Sequence, residues 1–277
     1  MSTQTTKTSA TAWSPDVTEF AAADTVPDAL ILKCATPGGI VEGDSPSVRV
    51  AYVDDDEAQF TAEADTIPEA EPTLAERLVH TAKVTQLIRV SDEQYRQTNT
   101  ATQLSASVAR AITRRANTAF VAEAAPTAPA VAPMPGLLNV AGIVDGGEIG
   151  TNLDGLVDLI AELQTNLAVP SHILLGVHAW SEFRKLKVGG SETNSSLLGA
   201  GTSDAQQLML SLPVIVGVAV PGNTGIVLDR NAIVAAVGPI KVATSEHQYF
   251  NSDSIALRAT WRFGHVVVRP ERIGKFT

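Results

Sequence analysis

The side chains of this sequence that could do acid–base or metal chemistry are five histidines, one cysteine and a serine motif. The histidines are His80, His172, His178, His247 and His265, and none stands at metal-ligand spacing from a cysteine or a carboxylate. Neither an HExxH nor a CxxC pattern occurs. We therefore expect structural or surface histidines and no metal site.

Two residues are candidate nucleophiles, and the sequence supports neither of them strongly. The Gly-Asp-Ser at 43–45 is similar to the first block of some serine esterases, but Pro46 follows it and no Asp-x-x-His partner occurs near the carboxyl terminus. A turn is favoured, and a small α/β hydrolase that uses Ser45 is kept as a remote alternative. Cys34 stands beside the Pro-Gly-Gly at 37–39, with no predicted helix or nearby histidine to lower its pKa, so we do not expect a reactive thiol.

Composition excludes several further classes. Hydrophobic residues make up 44% of the 277, which is an ordinary globular balance. The longest apolar runs, such as 214–220, are too short to span a membrane. One cysteine cannot form an internal disulfide, which fits a reducing compartment. The glycine-rich stretch at 199–202 lacks the Lys-Ser/Thr of a phosphate loop, and no cofactor is predicted.

Charge is unevenly distributed along the chain. The formal net charge of −10 argues against a strongly basic nucleic-acid-binding protein. Residues 1–76 hold three bases and fifteen acids, whereas residues 77–277 hold seventeen bases and fifteen acids. Within the first part, residues 50–76 hold nine acids and no base. This asymmetry indicates parts of one molecule that face different neighbours.

Arginines recur on two predicted surfaces. Arg110, Arg114 and Arg115 form a small basic patch on a predicted helix, while Arg258 and Arg262 share one face of a predicted strand. Such a patch is ordinarily solvated, or it contacts phosphate or carboxylates. We favour the carboxylates of a neighbouring molecule, because so many acids lie in one segment without bases.

The elements that must position these charges begin with a long hairpin. Val48, Val50 and Tyr52 alternate with other residues as in a strand, and an extended segment at 74–90 follows the acidic stretch. The tip between them has too few large apolar groups to pack on the chain's own core. Because an isolated two-stranded hairpin is marginally stable, we expect this one to rest on another molecule.

A long helix is predicted next. Ser91 is expected to be its N-cap, with Gln94 completing a capping box, and the helix continues to about Glu123 without Gly or Pro. Its predicted apolar stripe consists of Leu104, Val108, Ile112 and Phe120. At about 1.5 Å per residue this helix reaches roughly 50 Å, which is long for a compact domain.

The rest of the chain mixes helices and strands. A proline-rich loop at 124–136 is followed by a helix that Asn152 is expected to cap. Short apolar strands are predicted at 173–175, 214–218, 226–228, 233–236 and 241–245. The clearest strand is 255–263, where apolar and polar residues alternate, and a tight turn is expected at Gly264.

This order of parts resembles the major capsid proteins of tailed bacteriophages, which share the Hong Kong 97-type fold. Three passages carry the resemblance. The first is Gly136-Leu137-Leu138-Asn139 after the proline-rich loop. The second is Leu212-Pro213-Val214, then Pro221-Gly222 and Ile226-Val227-Leu228-Asp229. The third is the ending, with Glu246, Tyr249-Phe250, Asp253, Leu257-Arg258, Arg262, Val266-Val267-Val268 and Pro270.

The resemblance implies an α+β fold with a mixed α/β axial domain and a β-rich peripheral domain. In these terms the chain divides into an N-arm (1–45), an extended loop with flanking strands (46–90), a spine helix with the proline-rich loop (91–136), an axial domain (137–238) and peripheral strands (239–277). It also implies hexamers and pentamers that tile an icosahedral shell around packaged double-stranded DNA. The expected location is the virion capsid, assembled in the host cytoplasm.

The resemblance also implies partners. These are a portal, a possible cement protein and non-specific contact with packaged DNA, with no membrane. Some members crosslink through a lysine in the extended loop, but residues 50–76 contain none, so no isopeptide is expected. Other members begin with a long scaffolding segment that is removed, and the arm here is too short to contain one. A separate scaffolding protein is therefore predicted.

Function on this interpretation lies in subunit interfaces and not in catalysis. The acidic residues expected at an interface are Asp54, Asp55, Asp56, Glu57, Glu63 and Asp65. Their expected basic partners on a neighbouring subunit are Arg110, Arg114, Arg258, Arg262, Arg269 and Arg272. One alternative is an encapsulin-type nanocompartment, which shares the fold and encloses enzyme cargo. The amphipathic N-terminal helix usual in encapsulins is not predicted for the Thr/Ser-rich residues 1–12.

Overall fold

The computed structural model describes residues 17–42, 45–54, 60–61, 73–97, 100–149, 152–187, 198 and 207–277. The strands in these ranges are β1 (Val17–Phe20), β2 (Thr36–Ile40), β3 (Ser47–Asp54), β4 (Thr73–His80), β5 (Ala82–Ser91), β6 (Val144–Asp145), β7 (His172–Leu175), β8 (Leu208–Met209), β9 (Leu212–Val216), β10 (Gly225–Leu228), β11 (Ile233–Tyr249), β12 (Ser254–Val267) and β13 (Ile273–Phe276). The α-helices are α1 (Ala22–Thr25), α2 (Leu30–Cys34), α3 (Asp92–Tyr95), α4 (Thr100–Ala122), α5 (Asp154–Thr165) and α6 (Val177–Lys185).

The first sheet is built around two long antiparallel strands. Its order is β1-β11-β12-β5, and β2 also pairs with β11. The predicted alternation along β12 is confirmed, because Leu257, Ala259 and Trp261 are buried whereas Arg258 is exposed. The indole Nε1 of Trp261 donates a hydrogen bond to the Gly238 carbonyl at 3.0 Å, which satisfies its buried donor.

The second sheet has six strands, which are shorter than the long strands of the first sheet, and it packs against helices. Its order is β6-β13-β10-β7-β9-β8. Every residue of β10 is buried, as expected for a short central strand with both faces covered. Helices α5 and α6 contribute Leu156, Leu159, Leu163 and Phe183 to a core that also contains Phe276 of β13.

Helix α4 joins the two sheets. Val108, Ile112 and Phe120 of the predicted stripe are buried, and they share one core with Trp261 of the first sheet and Leu228 of the second. Ser91 is an N-cap as predicted, since its Oγ accepts from the Gln94 N–H at 3.4 Å. The prediction of one continuous helix from Ser91 was wrong, because α3 ends at Tyr95 and α4 begins at Thr100.

The passage 136–139 terminates α4. The Gly136 N–H donates to the Glu123 carbonyl at 2.9 Å, and the Asn139 side-chain amide donates to the carbonyls of Ala122 and Glu123 at 3.2 and 2.7 Å. These bonds satisfy carbonyls that a helix end leaves without partners. A Cβ on Gly136 would lie 2.5 Å from the Ala122 nitrogen, so only glycine fits.

The predicted hairpin is present as a separate two-stranded sheet. Strands β3 and β4 pair antiparallel from Ser47 opposite His80 to Asp54 opposite Thr73. The segment predicted at 74–90 is divided at Thr81 into β4 and β5, and β5 belongs to the first sheet. At the base of the hairpin, Val50 and Val79 are buried against Ala236.

Three further sequence predictions need correction. Asn152 does not cap α5, since Leu153 occupies the N-cap position and the Asn152 amide donates to the Asp154 carboxylate. The strands predicted at 233–236 and 241–245 are one strand, β11. Gly264 is not a turn, because β12 continues through it, and a Cβ there would lie 2.1 Å from the His80 carbonyl oxygen.

The predicted domain boundaries and the sheets divide the chain differently. The boundary between 238 and 239 falls inside β11, whose residues all belong to the first sheet. Strand β13, which the prediction assigned to the peripheral part, pairs with β10 and β6 in the second sheet. The assignment of axial and peripheral roles remains a prediction.

Candidate assembly interfaces

The acidic half of the predicted interface is positioned by the β3–β4 hairpin. Asp54 is the last residue of β3, and Asp55, Asp56, Glu57, Glu63 and Asp65 lie outside the described residues. The strands direct the chain into this segment, and their base carries an exposed ion pair of 3.5 Å between Arg49 and Glu76. Phe60 is described and is fully exposed.

Two of the predicted basic partners lie together on the spine helix. Arg110 and Arg114, four residues apart on α4, are exposed and form no ion pair with a described residue. They line a cavity of about 550 Å³, called here the spine groove, which also contacts Lys33 of α2 and residues 215–220.

Arg115 differs from its neighbours on α4. Its guanidinium donates two hydrogen bonds to the Glu123 carboxylate, at 2.6 and 2.9 Å. This bidentate pairing raises the pKa of Arg115 and lowers the pKa of Glu123. The pairing therefore stabilises the subunit itself, and the basic patch predicted on the helix is reduced to Arg110 and Arg114.

The two arginines predicted on one face of β12 have different environments. Arg258 is exposed, whereas Arg262 is partly buried and donates to the Thr81 carbonyl and hydroxyl at 3.3 and 3.1 Å. Thr81 is the residue at which the chain passes from the hairpin into β5. Arg262 therefore ties the hairpin to the first sheet.

The remaining predicted partners lie beside the base of the hairpin. Arg269 and Arg272 line a cavity of about 560 Å³ together with Arg77 of β4, called here the hairpin-base cavity. Its other lining residues are Tyr52, Asn166, Leu167, Val268 and Glu271. Arg77, which is the first base after the acidic segment, was not among the predicted partners. The structure therefore gathers four of the six predicted arginines at two places, the spine groove and the hairpin-base cavity, while Arg258 and Arg262 lie apart on β12.

The candidate catalytic residues are structural. Ser45 Oγ donates to the Ser47 carbonyl at 2.8 Å, as expected for a turn. Cys34 ends helix α2, although no helix was predicted there, and burial raises the pKa of its thiol to about 12. His265 is fully buried, with Nε2 3.1 Å from the Pro135 carbonyl oxygen, and burial lowers its pKa to about 4. A thiol and an imidazole with such pKa values are neutral near pH 7.

The described part of the chain contains neither a cluster of metal-binding side chains nor a helix suited to span a membrane. Among those residues no three His, Cys, Asp or Glu side chains come together as a metal site. No helix within the same ranges is both long and apolar enough to cross a bilayer.

The architecture is shared with solved structures from bacteriophages and from the capsid of a GTA particle. A structure from Mycobacterium phage Bobi is 17% identical, with a TM-score of 0.66, over 90% of this chain and 90% of that chain. A structure described as the capsid of an empty GTA particle computed with C5 symmetry is 17% identical, with a TM-score of 0.67, over 100% of this chain and 94% of that chain. A structure from Microbacterium phage Oxtober96 is 12% identical, with a TM-score of 0.68, over 100% of this chain and 96% of that chain.

The order of the sheets and helices, shared with these structures, is the Hong Kong 97-type fold, as predicted. The sequence matches the phage capsid family over residues 24–277. The chain belongs to that family, and it is a major capsid protein. No curated protein matches the sequence.

Proposed function

We propose that this capsid protein assembles as hexamers and pentamers into an icosahedral shell that encloses double-stranded DNA. The observation that carries the proposal is the β3–β4 hairpin, which pairs with no other strand of the described chain and leads into an acidic segment. A two-stranded sheet is marginal in water unless another surface covers it. The subunit's own first sheet covers the base of the hairpin at Val50 and Val79, and a neighbouring subunit covers the part beyond the base in a closed shell.

The contacts between subunits are complementary in charge. Acids of the hairpin tip meet arginines of the next copy, from the set at positions 110, 114, 258, 262, 269 and 272. Each exposed pair contributes about 0–1 kcal/mol. Repetition around a closed shell makes the sum large. The protein has no catalytic role in this proposal, which the neutral, buried Cys34 and His265 support.

Further partners follow from the same proposal. A separate scaffolding protein directs the size of the shell, a portal occupies one vertex, and a cement protein is a possible addition. Packaged DNA contacts the near-neutral body of the subunit, and assembly takes place in the host cytoplasm. The charge of the chain supports this arrangement, because the acids of residues 1–76 are separated from the near-neutral remainder.

Electron microscopy of the purified protein tests the proposal. We expect closed particles or capsomers with five-fold and six-fold symmetry, which elute from a sizing column far ahead of a 29.0 kDa monomer. Monomeric protein at all concentrations would contradict it. Particles of correct size from this protein alone would contradict the separate scaffolding protein only. Enzyme cargo in place of DNA in native particles would instead support a nanocompartment.

A further inference from the structure

Phe60 differs from ordinary exposed apolar residues in its neighbours along the sequence. It is the only aromatic residue between positions 53 and 72, and its side chain is fully exposed. Four consecutive acids at 54–57 precede it, and Glu63 and Asp65 follow. An isolated exposed aromatic residue is common and needs no explanation. An aromatic ring within a run of acids, however, is complementary to an apolar cavity with a basic rim.

The spine groove is such a cavity. Its floor is apolar, since Leu174, Ala219 and Val220 are buried there. Arg110 and Arg114 line the same cavity, are exposed and have no ion pair with a described residue. The one acid among its lining residues is Asp28, whose carboxylate is held 2.8 Å from Lys33 Nζ. The groove therefore offers apolar contact and unneutralised positive charge side by side.

The hairpin-base cavity is a poorer match for an aromatic ring. Most of its lining side chains are polar or charged, and they include Glu271, which would repel an acidic segment. Arg269 already interacts within its own subunit. This cavity can bind carboxylates, but it has no apolar floor like that of the spine groove.

We propose that Phe60 of one copy inserts into the spine groove of a second copy, with the acids beside it meeting Arg110 and Arg114. This inference rests on the proposed function and specifies one of its contacts. An aromatic side chain buries about 150–250 Å² when it inserts into a pocket. Aromatic anchors of this kind, surrounded by weaker polar contacts, carry most of the affinity of protein interfaces.

Disulfide crosslinking in assembled material tests the contact while leaving Phe60 in place. Thr61→Cys places a thiol beside Phe60, and Val218→Cys places one at the groove, where Val218 is 81% exposed. The matched control pairs Thr61→Cys with Leu167→Cys, since Leu167 is 75% exposed in the hairpin-base cavity. The native Cys34 is buried and protonated, so it contributes little background.

We expect mild oxidation to link different chains through positions 61 and 218 and to leave the 61 and 167 pair unlinked. Stronger linkage through position 167, or none through 218 in assembled material, would overturn the inference and leave the proposed function intact. Failure of the unsubstituted protein to assemble would instead overturn the proposed function, and this contact with it.

A second measurement uses the anchor itself. Phe60→Ala should raise the protein concentration needed for assembly by about tenfold or more, as removal of an interface anchor does. Because Phe60 is fully exposed, circular dichroism and thermal unfolding of the unassembled subunit should not change. Assembly of Phe60→Ala at the same concentration as the unsubstituted protein would overturn the inference.

Discussion

At the level of single side chains, burial decides the ionisation of His265. The ring lies against Phe120 in an edge-to-face arrangement with 4.9 Å between the ring centroids, and its Nε2 approaches the Pro135 carbonyl. With Nε2 protonated, the ring is neutral and donates one hydrogen bond. Burial removes water from the ring and so disfavours its charged form, which is why the pKa lies near 4, and Nδ1 has no hydrogen-bond partner among the described residues.

His265 should make the subunit less stable in acid. An exposed histidine titrates at 6.5, whereas this one titrates at about 4, so below pH 6.5 the unfolded chain binds a proton that the folded chain does not. The free energy of unfolding is therefore unaffected by the titration of this residue above pH 6.5. It falls by about 3 kcal/mol as the pH decreases from 6.5 to 4. Chemical unfolding of the unassembled subunit across this range measures it.

His265→Gln keeps an N–H donor for the Pro135 carbonyl and cannot titrate. Its stability should therefore fall less steeply than that of the unsubstituted subunit between pH 6.5 and 4. His178→Gln is the control, because His178 is exposed on α6. Parallel stability curves for all three proteins would contradict the assignment.

The pair of Arg115 and Glu123 gives a second test at this scale. The Glu123 carboxylate is partly buried and bidentate, and its lowered pKa means that the stabilisation is complete above its ordinary pKa of 4.5 and is lost at lower pH. Glu123→Gln should lower the unfolding free energy by about 1 kcal/mol at pH 7. Glu182→Gln, in an exposed ion pair with Lys185, should cost less, and equal losses would contradict the distinction.

At the level of elements, the packing of β12 against the end of the hairpin depends on a glycine. Gly264→Ala would force a Cβ to within 2.1 Å of the His80 carbonyl oxygen, so the strand or the chain near Thr81 must shift. We expect a loss of about 1–3 kcal/mol in unfolding free energy, measured by denaturant titration.

Gly155→Ala is the matched control for that substitution. Gly155 lies in the first turn of α5, and the nearest atom to its Cβ would be 3.8 Å away in Ile149. Alanine there should stabilise the helix by up to about 1 kcal/mol. A similar effect of both substitutions would show that close packing at Gly264 is not the cause.

Periodicity and apolar runs were enough to predict the longer elements of this fold, but not the short elements β1, β2, α1 and α2. The alternation in β12, the stripe on α4 and the apolar run of β7 were read correctly because each depends on neighbours close in sequence. The break between Tyr95 and Thr100 was missed because the segment contains neither Gly nor Pro. Strand β11 was predicted as two pieces because Gly238-Pro239 interrupts its pattern, although the register with β12 resumes at Ile240.

The candidate interfaces were harder to predict than the elements. Sequence spacing placed Arg110, Arg114 and Arg115 in one patch, but Glu123, eight residues away, pairs with Arg115 alone. Arg77 and Arg272 line one cavity although they are far apart in the sequence. Such long-range proximity leaves no periodic signal in a single sequence.

At the level of the whole molecule, the charge asymmetry should control association. Asp55→Lys with Asp56→Lys reverses two charges at the hairpin tip, so the acidic segment should no longer attract arginines of the next copy. We expect the variant to need about tenfold more protein to assemble, with assembly measured by light scattering. Salt should weaken assembly of the unsubstituted protein more than that of this variant.

Asp158→Lys with Glu162→Lys is the matched control for the tip variant. Both side chains are exposed on α5, outside the acidic segment, and the change in net charge is identical. Its assembly should resemble that of the unsubstituted protein. Equal effects of the two double variants would show that net charge, and not the position of the acids, governs association.

Strand β13 has a consequence for the timing of synthesis. It lies inside the second sheet, between β6 and β10, although it comprises residues 273–276. The sheet therefore cannot close until the ribosome has made and released that part of the chain. A nascent polypeptide without residues 273–276 lacks a central strand of this sheet, so it cannot yet present a finished subunit surface.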